Sequence, residues 1–135
     1  MFNFDIIEQQ ISKRLQTFFA HQATSANIVP AKMRLLIRVL EDRVVSYILE
    51  DTRLVKQLEL KAIAESFGKE FDHEKVQEVY NYLAEKAKAE NIALDQLNAV
   101  VYENKGKMGA YLFDNTTYKR KIKAMELLNL FYLSK

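Results

Sequence analysis

Three glycines and one proline in 135 residues leave this chain few places to turn sharply. All-β folds of short strands spend Gly, Pro and their partners at every tight turn. Scarcity of both points instead to long helices joined by short polar links. The expected fold class is therefore mainly α: a compact helical domain of four to six helices, possible strand character being confined to one short hairpin near residues 99–113. A hydrophobic fraction of 49% and a charged fraction of 28% are those of an ordinary globular chain, and a chain of this length buries enough surface for one core. Residues 1–135 are expected to form a single helical domain.

Apolar periodicity supplies the elements. Phe4, Ile7, Ile11, Leu15 and Phe18 recur at steps of three and four, one face of a first helix from Asn3 to about Gln22. Pro30 suits the first turn of a second helix. Met33, Leu36, Ile37, Leu40, Val44 and Ile48 form the main stripe of that helix, with Leu35, Val39, Val45 and Leu49 as a second. Two stripes predict a central helix, with Leu36, Ile37, Leu40, Val44 and Ile48 at the core. A third helix is expected from Asp51-Thr52 to Phe67, stopped by Gly68. A fourth follows, capped by Asp72 and carrying Val76, Val79, Tyr80, Leu83 and Ala87 inward. Between Ile92 and Asn115 the pattern is ambiguous. It allows a short helix capped by Asp95, or two strands, Ala99–Glu103 and Met108–Phe113. Thr116 or Thr117 can then cap a last helix reaching nearly to the end. No internal repeat is evident at this level.

The net charge of +2 is unevenly spread. Residues 1–104 carry a net −3 and residues 105–135 a net +5. There is no cysteine, so neither a disulfide framework nor a thiolate zinc site can form. The N-terminal residues lack a signal-peptide pattern, and the longest uncharged stretch, Leu15 to Ala31, is too polar for a membrane span. The expected location is cytoplasmic, with no transmembrane segment.

Candidate chemistry is thin. His21 and His73 stand in no metal-ligand spacing, and no metal site or cofactor is expected. The acidic pairs Glu41-Asp42 and Glu50-Asp51 invite an acid–base reading. On one helix, however, Asp42 and Glu50 would stand about 12 Å apart along the axis and about 80° around it. Solvated helix-end charge is the simpler account. No serine lies in a Gly-x-Ser-x-Gly context, and the glycines build no phosphate loop. No catalytic residue is assigned.

Two features point to nucleic acid. Leu60, Ile63, Ala64, Phe67 and Gly68, followed by Val76, Val79 and Leu83, resemble the paired helices of bacterial helix-turn-helix regulators. The resemblance covers residues 60–83 and implies a DNA-binding role; an antiparallel helical hairpin gives the same pattern. The second feature is the basic segment 105–123. Its candidate contacts are Lys105, Lys107, Lys119, Arg120, Lys121 and Lys123, with Tyr102, Tyr111 and Tyr118 interleaved, a composition suited to phosphates and stacked bases. The apolar tail is the third feature. Leu127, Leu128, Leu130, Phe131 and Leu133 point around a whole helix circumference and are candidates for an interface with a protein partner or a second copy. The leading expectation is a non-catalytic helical protein-interaction or regulatory module that is homo-oligomeric. A small nucleic-acid-binding regulator is the alternative, and an enzyme with scattered carboxylates the third.

Overall fold

The computed structural model describes residues 4–66, 73–104, 107–123 and 126, and side chains within 13–65, 74–103, 108–123 and 126. Helix α1 spans Phe4–Ala26. Strands β1 (Met33–Leu40), β2 (Arg43–Glu50) and β3 (Arg53–Leu58) follow, then helices α2 (Leu60–Ser66) and α3 (His73–Ala89). Strands β4 (Leu97–Asn104), β5 (Lys107–Asp114) and β6 (Thr117–Ile122) complete the order. All six strands form one antiparallel sheet in the order β3-β2-β1-β4-β5-β6.

This overturns the mainly α expectation. The predicted central helix is a hairpin, β1–β2. Met33, Leu35, Ile37 and Val39 are buried at every second position, the period of a strand with one covered face. Of the five residues expected in that helix's core, Ile37 and Ile48 are buried and Val44 is partly so. Leu36 lies half-buried on the opposite face, and Leu40 is 42% exposed. The expected third helix begins instead as β3, and the basic start of the expected last helix is β6.

Acidic and amide residues do the turning that glycine was expected to do. Glu41 and Asp42 both have positive φ, 50° and 62°, and make the two-residue loop between Leu40 and Arg43. Such a loop matches the right-handed twist of the flanking strands. Asp51, Asn27, Asn91 and Asn115 take the same left-handed conformation, which short polar side chains tolerate better than most. The Glu41-Asp42 and Glu50-Asp51 pairs thus serve hairpin geometry.

The structure contains a repeat. Every strand of the first half recurs 64 residues later: β1 as β4, β2 as β5, β3 as β6. Details recur with it. Single 3-10 turns stand at Pro30–Lys32 and Leu94–Gln96. The helix ends close through Ile28 N–H to Ala23 and Ile92 N–H to Ala87, both 2.8 Å. Asp51 N–H reaches Lys32 and Asn115 N–H reaches Gln96, again both 2.8 Å. The bulge at Ile48/Leu49 matches that at Leu112/Phe113. The halves meet at β1 and β4, where Leu36 opposes Val100, Leu35 opposes Val101 and Ile37 opposes Ala99. That register is symmetric about the Leu36–Val100 pair, which places an approximate twofold axis there.

Each half's helix crosses to the other half. α1 packs on β5, and α3 packs on β1 and β2. Leu15, Phe18, Phe19 and Ala23 of α1, Ile63 and Ala64 of α2, and Val79, Leu83 and Ala87 of α3 join one core with the inner sheet residues. Swapped helices tie the halves into one hydrophobic unit, the arrangement of helices layered on one face of an antiparallel sheet. No helix among the described residues is long and apolar enough to cross a membrane.

Candidate functional site: the open face of the sheet

Alternation along the strands creates two faces, and the described helices cover one. The other carries Arg34, Leu36 and Arg38 from β1, Tyr47 and Leu49 from β2, and Leu54 from β3. Asn98, Val100 and Tyr102 come from β4, Tyr111 and Phe113 from β5, and Tyr118 and Lys121 from β6. Most of these side chains are half-buried, whereas Leu54 is 57% and Tyr118 54% exposed. A shallow depression of about 650 Å³ runs over Leu36 and Val100, bounded by Arg34, Arg38, Tyr47, Leu54, Tyr102 and Phe113.

The two halves furnish this face differently. In the second half Tyr102 stacks on Tyr111, centroids 4.5 Å apart. Tyr118 leans on Tyr111 at 6.3 Å and meets Phe113 edge-on at 5.8 Å. The result is an aromatic wall. Burial, reinforced by neighbouring Tyr111, raises the pKa of the Tyr102 phenol, while Arg34 pulls it back. In the first half the matching positions hold Arg38, Tyr47, Leu49 and Leu54, a mixed surface with a single aromatic ring.

Two arginines bracket the axis. Arg34 lays its guanidinium 4.1 Å from the Tyr102 ring centroid. It donates from Nη1 to the carbonyls of Ala31 (2.9 Å) and Met33 (3.1 Å), and its Nη2 lies 3.9 Å from the Asp51 carboxylate. Arg38 donates from Nη2 to the Asp95 carbonyl at 2.7 Å. On the residue opposite Arg38, Asn98 donates to the Asn115 carbonyl at 2.9 Å. Arg38 Nε and Asn98 Oδ1 are buried without a hydrogen-bond partner. Arg34, Arg38 and Lys121 against Asp51 leave the face electropositive. Lys121 holds its ammonium 5.9 Å from the Tyr111 ring.

The residues singled out from sequence do not gather in one place. Lys121 reaches the open face. Lys119 sits exposed in the β5–β6 bulge, and Lys123 is exposed just past β6. Arg120 turns to the other side, where its Nη1 meets the Glu90 carboxylate at 3.1 Å. Lys105 and the Lys107 side chain lie outside the described residues, as do the interface candidates Leu127, Leu128, Leu130, Phe131 and Leu133. Arg34, Arg38 and Tyr47 were missed, because a helical reading of 30–49 scattered their side chains around a cylinder; Phe113 ended a candidate strand but was assigned to no site. Read with period two, Arg34-Leu36-Arg38 was visible as one face.

The helix-turn-helix resemblance resolves into α2 and α3, whose Ile63, Ala64, Val79 and Leu83 are buried in the core. His21 is exposed on α1, and the His73 side chain lies outside the described residues. A cleft of about 500 Å³ between α3 and the β2–β3 hairpin contains Ser46, but the Ser46 hydroxyl donates to the Leu58 carbonyl. Among the described residues no three His, Asp or Glu side chains gather as metal ligands would. No protein-family model, curated protein or solved structure matches the chain.

Proposed function

We propose that this protein is a non-catalytic interaction module that binds a polypeptide partner through the open face of its sheet. One observation carries the reading: a contiguous apolar and aromatic surface, from Leu54 across Leu36 and Val100 to Tyr118, lies on the face that the described helices leave bare. Continuous apolar surface of this kind marks interaction sites in soluble proteins. The arginines favour a different chain over a second copy. Two such faces brought together on their axes would place four arginines around one point, and like charges there oppose pairing. A cytoplasmic setting belongs to this proposal and is compatible with the cysteine-free composition.

Selection of random polypeptides displayed against the intact chain tests the reading. Selected binders should lose affinity for Leu36→Glu and Val100→Glu variants that retain the native circular dichroism. Binders indifferent to both changes would place the working surface elsewhere.

A second reading rests on the aromatic wall beside Lys119, Lys121 and Lys123, a combination that suits single-stranded nucleic acid. Tyr111 is only 7% exposed, and its ring is already stacked on Tyr102, so these two faces are spent on each other. Binding of an unstructured oligonucleotide that weakens steeply with salt and vanishes on reversing Lys119 and Lys121 would favour this reading.

A further inference from the structure

Resting on the interaction reading, we infer that the partner presents an amphipathic helix whose apolar stripe is bracketed by carboxylates, one for Arg34 and one for Arg38.

The backbone of the partner follows from hydrogen-bond accounting. The open face offers side chains, and the sheet's own N–H and C=O groups are turned along its plane toward neighbouring strands. An extended segment laid across this face would bury its own amides without partners, which is strongly unfavourable for each group. A helix satisfies those groups internally and brings only side chains to the contact. Edge addition is the route open to an extended strand. Both edges are basic, with Arg53 and Lys56 on β3 and Lys119, Arg120 and Lys121 on β6, a device that discourages strand pairing.

The spacing of charge follows from the strand. Arg34 and Arg38 are four residues apart on β1 with Leu36 between them. Four strand residues span about 13 Å. Two carboxylates seven residues apart on a helix span about 10 Å on nearly one face, and guanidinium arms cover the remainder. Between them the helix has room for apolar side chains over Leu36, Val100 and Tyr47. Both arginines are held before binding, Arg34 by two carbonyls and the Tyr102 ring, Arg38 by the Asp95 carbonyl. A braced guanidinium loses little freedom when it meets a carboxylate. Asp51, the acid nearest Arg34, is exposed at 3.9 Å, so an incoming carboxylate competes only with a loose pair.

The test is a charge swap with synthetic helices. A labelled amphipathic peptide of about 20 residues, long enough to hold a helix, carries a Leu/Ile stripe with Glu at positions seven apart. A second peptide carries Lys at those positions. Fluorescence anisotropy with the intact protein should show the Glu peptide binding at least tenfold more tightly than the Lys peptide, the gap narrowing with salt. Arg34→Glu with Arg38→Glu should reverse the preference. Arg34→Gln with Arg38→Gln serves if the reversed variant does not fold, and should equalise the two peptides. Equal binding of both peptides to the native chain, with loss in Leu36→Glu, would overturn the carboxylate inference and leave the interaction reading standing. Failure of both peptides to bind, or displacement of the Glu peptide by a single-stranded oligonucleotide at lower concentration, would also overturn the inference.

Discussion

The ring of Tyr102 lies on that of Tyr111, centroids 4.5 Å apart, where the first half of the sheet has Arg38 beside Tyr47. The stack depends on Gly109, directly opposite Tyr102. A Cβ at position 109 would fall 2.9 Å from the Tyr111 hydroxyl and 3.1 Å from Cζ. Val45 holds the corresponding place in the first half, and there Tyr47 stays half-buried. The glycine is thus what lets one half close over its tyrosine while the other remains open to a partner.

Gly109→Val should displace the Tyr111 ring from its stack. The expected cost is about 1–3 kcal/mol, the usual penalty for crowding a packed site, read from urea unfolding. Tyr111 should also become reactive to iodination. An unchanged midpoint with Tyr111 still protected would show that the ring does not rest on residue 109.

Alternation on β1 makes a sharper stability prediction. Leu35→Ala and Ile37→Ala remove fully buried side chains and should each cost about 2–5 kcal/mol. Leu40→Ala, at a 42% exposed position, should cost about 0.5 kcal/mol or less. Denaturant unfolding of the three variants separates this pattern from a helical one, in which Leu36, Ile37 and Leu40 would behave alike.

The helices α1 and α3 were legible because their apolar residues recur at three and four, with Leu15, Phe18, Val79, Leu83 and Ala87 buried as that period requires. The strands were not. Met33-Arg34-Leu35-Leu36-Ile37-Arg38-Val39-Leu40 is apolar on both faces, because the open face carries Leu36 and Leu40, and such a run satisfies both periods. Turn signals failed for a related reason. Glu41-Asp42 occupies a loop for which Asn-Gly is the usual marker, so a scarcity of glycine hid the hairpins. The duplication was hidden by divergence. Asn27 and Asn91, Ile28 and Ile92, Tyr47 and Tyr111, and Thr52 and Thr116 are among the few identities it preserves, and most mark turns or the two faces. The open face could be assembled only after the register placed Arg34 beside Tyr102.

Acid and alkali should unsettle one contact by opposite routes. Glu126 meets Lys86 at 2.5 Å, and that partnership chiefly holds its carboxyl below the usual range. A depressed native pKa contributes stability above the unfolded glutamate value of about 4.3, lost as pH falls through the native value. The Tyr82 hydroxyl is buried nearby, and burial, then the Glu126 charge, push its pKa upward. A raised phenol pKa contributes stability below the unfolded value of about 10, lost as pH climbs above it. Glu126→Gln should flatten the acid limb of the stability–pH curve, and Tyr82→Phe the alkaline limb. The acid effect will be small, because the Glu126 side chain is 41% exposed and water screens such a pair. Thermal melts between pH 3 and pH 11 that superimpose for all three proteins would remove the contact from the pH response.

Leaving aside Phe131, which the 64-residue shift aligns with an identical Phe67, the repeat separates two sets within the apolar tail with different expected behaviour. A shift of 64 residues aligns Leu127 and Leu128 with Ile63 and Ala64 of α2, both fully buried. The same shift aligns Leu130 with Ser66 and Leu133 with Lys69, polar positions in the first half. These tail residues lie outside the described residues; by sequence equivalence the first set corresponds to core positions of α2, whereas the second is a surplus that the repeat does not explain. Leu127→Ala should cost about 2–5 kcal/mol, as Ile63→Ala should, and the cost should not vary with protein concentration. Leu130→Glu and Leu133→Glu should leave the fold intact and act only on association, since a copy pairing through this surplus would be disrupted by buried charge. Sedimentation velocity combined with denaturant titration distinguishes the sets. A Leu127→Ala variant that is as stable as the native chain but fails to associate would assign the whole tail to an interface between chains and break its equivalence with α2.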